Sequence, residues 1–227
     1  MPKATPAKKT AVLISGRGSN LGALIAAGKR PGAHFEIALV ISNRPDAGGL
    51  GLAEAASIPS LVVDHKDYHE RMAFEEALDQ GLNEAGIELV CLAGFMRVLT
   101  PWFVQRWNDR LLNIHPSLLP AFKGLDTHAR ALKAGVRVHG CSVHLVRPAL
   151  DDGPIIVQGV VPVLAEDDED SLAARVLKVE HQAYPHALEL LAAGHARLID
   201  GKLTIDQKSR SPSSWIHPGP QQTAKNA

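Results

Sequence analysis

Cysteine is nearly missing from this chain of 227 residues: only Cys91 and Cys141 occur, each in an apolar, strand-like run. That argues against a disulfide framework or a thiolate metal centre, and both read as buried, reduced thiols. Charge of either sign is not in excess, because 24 Lys and Arg balance 24 Asp and Glu. No net field recruits nucleic acid or an anionic membrane, so any anionic ligand must be held by a local site. Long apolar runs are absent too. Stretches such as "LVCLAG" fall short of a membrane span, and "MPKATPAKKT" lacks the apolar core and cleavage site of a signal peptide, so a cytoplasmic protein is expected. The eleven histidines include no H-E-x-x-H and no ligand-spaced Cys/His group, and no metal is expected.

What is present is enough chain for one α/β domain with a buried sheet. Short apolar segments rich in β-branched residues, "TAVLIS", "EIALVIS", "SLVVD", "IELVCLAG", "LLNIH", "GCSVHLV" and "IIVQGVVPV", read as strands. Helical periodicity fills Asn20 to Lys29, Gly48 to Ala56, Tyr68 to Ala85, Pro101 to Trp107, Thr127 to Ala134 and Ser171 to Ala193. Strand and helix alternate through the first five strands, which predicts a mostly parallel, Rossmann-like doubly wound sheet of about seven strands. The last two of these strands have only "RPALDDGP" between them and should pair antiparallel, and Asp200-Gly201 marks a final hairpin. Residues 1–9 and 208–227, rich in Lys, Ser, Pro and Gln, read as tails around a single domain over 10–207.

"AVLISGRGSNLGALI" reads as strand, glycine-rich turn, helix. It places the N–H groups of Gly18, Ser19 and Asn20 at a helix N-terminus, where unpaired donors and the helix dipole favour an anion. Leu21 stands where the dinucleotide motif needs its third glycine, and no "GK[ST]" follows. A capped turn, with Ser19 or Asn20 as the cap, and a monophosphate site remain equal readings.

In "LLNIH", alternation puts Asn113 and His115 on one face of a strand, at its carboxyl end, just before Pro116. An amide and an imidazole side by side can both donate to a carbonyl oxygen that gains charge during attack. A nearby carboxylate would favour the protonated ring, and Asp151 and Asp152 are candidates. The alternative is a strand-end histidine whose hydrogen bonds are simply satisfied. Ser117 lacks a G-x-S-x-G setting, so no acyl-enzyme is expected.

Taken together, "VLISGRGSNLGALI", "LAGFMRVLTPWFV", "RLLNIHPSLLPAFKGLDTHARAL", "HGCSVHLV", "LDDGPIIVQGVVPV" and "RVLKVEHQAYPHAL" resemble the folate-dependent formyltransferases, and within them the branch that formylates phosphoribosylglycinamide. The resemblance implies a formyltransferase fold, 10-formyltetrahydrofolate as co-substrate, glycinamide ribonucleotide (GAR) as acceptor, and no metal. It implies catalytic roles for Asn113, His115 and Asp151, GAR contacts at Gly18, Ser19, Asn20 and Glu180, and folate contacts at Arg71, Met96, Arg97, Val98, Leu99 and Asn113. In the folate segment, backbone groups would read the pterin ring while apolar side chains cover it. A monomer or homodimer is expected, with no nucleic-acid or membrane partner. The chain departs from the commonest pattern at "DDG", where the middle residue is often small, so Asp152 adds a second acid beside the site.

Four other readings compete. A formyltetrahydrofolate hydrolase uses a similar site but usually carries an added N-terminal domain, and methionyl-tRNA formyltransferase carries a C-terminal RNA-binding domain; neither is expected here. An NADP oxidoreductase would use Arg44 on the extra phosphate, against the incomplete glycine motif. A non-catalytic binding module would have no need of Asn113, His115 and Asp151.

Overall fold

The computed structural model describes residues 6–206. Its strands and helices follow the expected alternation: β1 (Lys8–Ile14), α1 (Ser19–Gly28), β2 (Phe35–Ser42), α2 (Gly49–Ala55), β3 (Ser60–Val62), α3 (Arg71–Glu84), β4 (Leu89–Leu92), α4 (Pro101–Arg106), β5 (Leu111–His115), α5 (Thr127–Ala134), β6 (Val138–Leu145), β7 (Ile155–Pro162), α6 (Glu169–Ala192), β8 (Ala196–Ile199) and β9 (Lys202–Ile205). The main sheet has the order β3-β2-β1-β4-β5-β6-β7. Strands β1 to β5 pair in parallel, while β6 runs antiparallel to both β5 and β7. This is the α/β doubly wound sheet that the alternation predicts, with an antiparallel C-terminal part. Strands β8 and β9 form a separate hairpin across Asp200 and Gly201, both at positive φ, as a tight hairpin turn requires.

The centre of the sheet is apolar on both faces because helices cover both. On β1, Val12 and Ile14 enter a core shared with α1 and α6, while Ala11 and Leu13 enter a second core shared with α3 and α4. The acidic run at the start of α6 supports the end of that helix. Asp168 caps the helix by accepting from the Ser171 N–H at 2.8 Å, and Glu169 and Asp170 sit in the first turn, beside the positive end of the helix dipole.

Several boundaries differ from the sequence reading, three of them for local reasons. The first strand begins at Lys8, inside the expected tail, because Lys8 pairs with Phe35 and its ammonium bonds Glu88 at 2.9 Å. Strand β4 stops at Leu92 rather than Gly94, which turns the chain with φ +69°. Helix α3 starts at Arg71 instead of Tyr68, since a 3-10 turn at His65–Asp67 comes first. The expected tail at 208–227 lies outside the described residues.

The order reverses at β1, whose neighbours β2 and β4 lead away in opposite directions. A crevice opens at such a switch point, beyond the carboxyl ends of the strands. The loops leaving β1 and β4 there are Ser15 to Gly18 and Ala93 to Thr100, and the loop after β5 lies alongside.

Candidate active site

The turn after β1 is built for close approach of backbone. Gly18 has φ +78°, and a Cβ there would lie 2.8 Å from the Gly49 Cα, so only glycine fits. Among the described residues no side chain caps α1, and Gly18 stands at the cap position, which removes the capped-turn reading in which Ser19 or Asn20 was the cap. The first-turn N–H groups therefore point out of the helix end without a side-chain partner. Asn20 is buried and donates from Nδ2 to Glu180 Oε2 at 2.7 Å, while its Oδ1 has no partner among the described residues. Burial raises the Glu180 carboxyl above its ordinary range, an effect that the Asn20 amide partly offsets. Ser15 to Asn20, together with Ala93, Gly94 and Met96, lines a cavity of about 240 Å³. The turn after β1 and the segment after β4 thus face one space. A larger crevice, about 370 Å³, lies between the C-terminal end of α1 and α6 and contains none of the expected site residues.

In the segment after β4, Met96, Arg97 and Val98 are exposed, whereas the Leu99 side chain is packed in the core. An apolar cover for a ligand can come from Met96 and Val98, but Leu99 can offer only its backbone. Arg71 is exposed at the start of α3, one turn before Glu75, which holds Thr100 at the far end of this segment.

On β5, Asn113 and His115 share a face, as two-residue alternation requires. His115 is buried; its Nδ1 lies 3.4 Å from Asp151 Oδ2 and its Nε2 lies 2.9 Å from the Phe122 carbonyl oxygen. The Phe122 carbonyl accepts from the Nε2–H, and the Asp151 carboxyl stands within ion-pair distance of Nδ1. Asp151 sits at φ +48°, with a side chain only 7% exposed, and accepts the Gly124 N–H at 2.9 Å. Asp152 turns away into solvent and bonds Lys123, which holds its carboxyl below the ordinary range. Of the two acids in "DDG", Asp151 is the one that faces the histidine.

His115 Nε2 already donates to the Phe122 carbonyl, so a new acceptor at that nitrogen takes the carbonyl's place. Sequence reasoning missed His144. It stands across from Asn113 in the β5–β6 register, and its Nε2 lies 3.3 Å from Asn113 Nδ2 and 3.9 Å from Asp151 Oδ1. Since Nδ1 bonds the Leu145 carbonyl at 3.0 Å, the Nε2 lone pair receives the Asn113 N–H, and burial favours the neutral ring by lowering its pKa. His144 thereby fixes which way the Asn113 amide points. Its signal in the sequence is a polar intrusion in "GCSVHLV", visible only once that strand is paired with "LLNIH".

The site therefore combines an amide, a carboxylate-paired imidazole and a helix N-terminus around the switch point of an α/β sheet. Among the described residues, no group of three or more His, Cys, Asp or Glu is arranged to hold a metal ion, and no helix is long and apolar enough to cross a membrane. The chain belongs to the formyl transferase family, whose model matches residues 8–188. It is 40% identical to phosphoribosylglycinamide formyltransferase of Haemophilus influenzae over 210 residues, covering 92% of this chain and 99% of that protein. It is 52% identical to the trifunctional purine biosynthetic protein adenosine-3 of Gallus gallus over 186 residues; this is 82% of the chain but only 18% of that protein's length. Among solved structures, glycinamide ribonucleotide transformylase 1 of Symbiobacterium toebii superposes with a TM-score of 0.85 at 43% identity, covering 88% of this chain and 94% of that one.

Proposed function

We propose that this protein transfers the formyl group of 10-formyltetrahydrofolate to the amino group of 5'-phosphoribosylglycinamide, giving N-formyl-GAR and tetrahydrofolate in purine biosynthesis. The observation that carries this reading is the pairing of His115 with a buried Asp151 on the strand beside β4, where Asn113 pairs with Leu92, while the loop that follows Leu92 and the uncapped α1 N-terminus line one cavity. One space is thus offered to both an anionic acceptor and a flat donor.

In this reading the GAR phosphate sits on the N–H groups of Gly18, Ser19 and Asn20, and Glu180 accepts from a ribose hydroxyl. Folate lies along Met96 to Leu99, with Arg71 near its glutamate tail. Among the described residues no hydrogen bond engages the backbone of Arg97, Val98 or Leu99, which leaves those N–H and C=O groups for the donors and acceptors of the pterin. The amine attacks the formyl carbon, and negative charge builds on the formyl oxygen. Asn113, oriented by His144, donates to that oxygen with its remaining amide hydrogen. His115 donates too once the oxygen replaces the Phe122 carbonyl at Nε2, while Asp151 supports the charge on the ring. Water carries the amine proton to the departing folate nitrogen. No metal and no covalent enzyme intermediate is needed, and the protein works in the cytoplasm as a monomer or homodimer.

The test is folate turnover with and without GAR, in the absence of added metal. Turnover that requires GAR is expected. Equal turnover without it would make the protein a hydrolase, and none with either would leave a binding module.

A further inference from the structure

Two buried polar side chains at the switch point have no part in the mechanism above. Ser15, 6% exposed, donates to Asn43 Oδ1 at 2.5 Å, and Asn43 is itself only 2% exposed. A serine hydroxyl has one hydrogen to give, and here Asn43 takes it, so a lone pair is left for the Met96 N–H, which arrives at 2.8 Å. Asn43 is held in turn. Its backbone N–H donates to the Ile14 carbonyl at 3.4 Å, and its Nδ2 lies 3.1 Å from His65 Nδ1.

The far end of the same segment is gripped by another buried group. Glu75 on α3 has no exposed surface, and its two carboxylate oxygens accept from the Thr100 N–H, at 2.7 Å, and from the Thr100 hydroxyl. Between Met96 and Thr100 the backbone bonds nothing else among the described residues, although Met96 and Val98 are 70% and 64% exposed. A short exposed stretch with open N–H and C=O groups would ordinarily sample many conformations. Held at both ends by buried partners, it is preorganised instead, and preorganised groups bind without the entropy cost of ordering.

We propose that Ser15 and Asn43 are positioning residues for the folate donor. The hydroxyl–amide pair sets the Met96 backbone, and through it the direction of the open groups of Arg97 to Leu99. This rests on the folate reading of that segment. It adds a dependence of donor affinity on two side chains that act through the Met96 backbone.

The experiment compares the full-length native protein with Ser15→Ala, Ser15→Thr and Asn43→Asp. Ser15→Ala removes the acceptor for the Met96 N–H, Ser15→Thr keeps a hydroxyl, and Asn43→Asp keeps the oxygen that orients it. Loss of one hydrogen bond at the anchor should raise the KM for 10-formyltetrahydrofolate about fivefold or more in Ser15→Ala, with the KM for GAR within about twofold of native. Ser15→Thr and Asn43→Asp should recover most of the donor affinity. Amide hydrogen exchange resolved at Met96 should be faster in Ser15→Ala alone, a change that a general loss of stability would not confine to one residue. Unchanged donor KM, an equal rise for donor and acceptor, or Met96 exchange identical to native would overturn the proposal. Native protein that fails to transfer formyl at all would sink the functional reading instead, and Met96 exchange would still report whether the anchor exists.

Discussion

Removing the charge of Asp151 should be far more damaging than removing the charge of its neighbour Asp152. Asp151 Oδ2 lies 3.4 Å from His115 Nδ1, with side chains 8% and 7% exposed respectively for His115 and Asp151. At that separation and an effective dielectric near 20, the attraction between a full imidazolium and a carboxylate is about 5 kcal/mol. Asp151→Asn keeps an oxygen for the Gly124 N–H but loses that attraction just when the ring is asked to support the oxyanion. A neutral amide recovers part of it, so about 3–4 kcal/mol of transition-state stabilisation should go, which is roughly 10² to 10³ in kcat/KM. Asp152 pairs with Lys123 in solvent, where water and salt screen the interaction. Asp152→Asn should therefore cost less than about threefold. The assay is steady-state formyl transfer at saturating and limiting GAR, with circular dichroism to establish that both variants fold. A larger loss in Asp152→Asn than in Asp151→Asn would refute the assignment of roles.

Other perturbations test the remaining parts of the site. His144→Phe leaves the Asn113 Nδ2 without its acceptor, and a loss of about tenfold in kcat/KM is expected, consistent with one hydrogen bond, with partial recovery in His144→Gln; equal activity in both variants would show that the amide needs no such partner. Gly18→Ala places a Cβ against the Gly49 backbone at a positive φ, so urea unfolding should show a loss of about 2 kcal/mol or more, together with a raised KM for GAR. An acceptor lacking the phosphate should lose the benefit of that loop, with KM rising at least about a hundredfold and kcat changing less. Because burial raises the Glu180 carboxyl, protonation weakens its oxygens as ribose acceptors at a higher pH than for an ordinary glutamate. The KM for GAR should thus climb as pH falls through the weakly acidic range, and Glu180→Gln should flatten that limb.

How much of this could be read from the chain alone depends on the range of each interaction. The parallel sheet and the common face of Asn113 and His115 follow from periodicities of two and of 3.6 residues, which are local properties. The link between Asn20 and Glu180 spans 160 residues, and only the resemblance of "VEHQAYP" to a family pattern pointed to it. His144 was missed because its meaning depends on register: it faces Asn113 only when β5 and β6 run antiparallel. Ser15 and Asn43 were missed for a similar reason, since they meet just past the ends of β1 and β2, where the parallel register pairs Ile14 with Ser42. Lys8 and Lys9 looked like tail residues because backbone pairing with β2 and polar contacts to Glu88, and not apolar character, hold them in the sheet. Leu99 shows the opposite case, a side chain claimed by packing while its backbone stays open. Its apolar side chain suggested ligand cover, but the core under α4 claims it first.

The most direct measurement follows the formyl carbon. Protein incubated with 10-formyltetrahydrofolate labelled with carbon-13 in the formyl group, and with GAR, should give N-formyl-GAR carrying the label in a one-to-one ratio with tetrahydrofolate released. Label recovered as free formate while GAR stays unmodified would contradict the account.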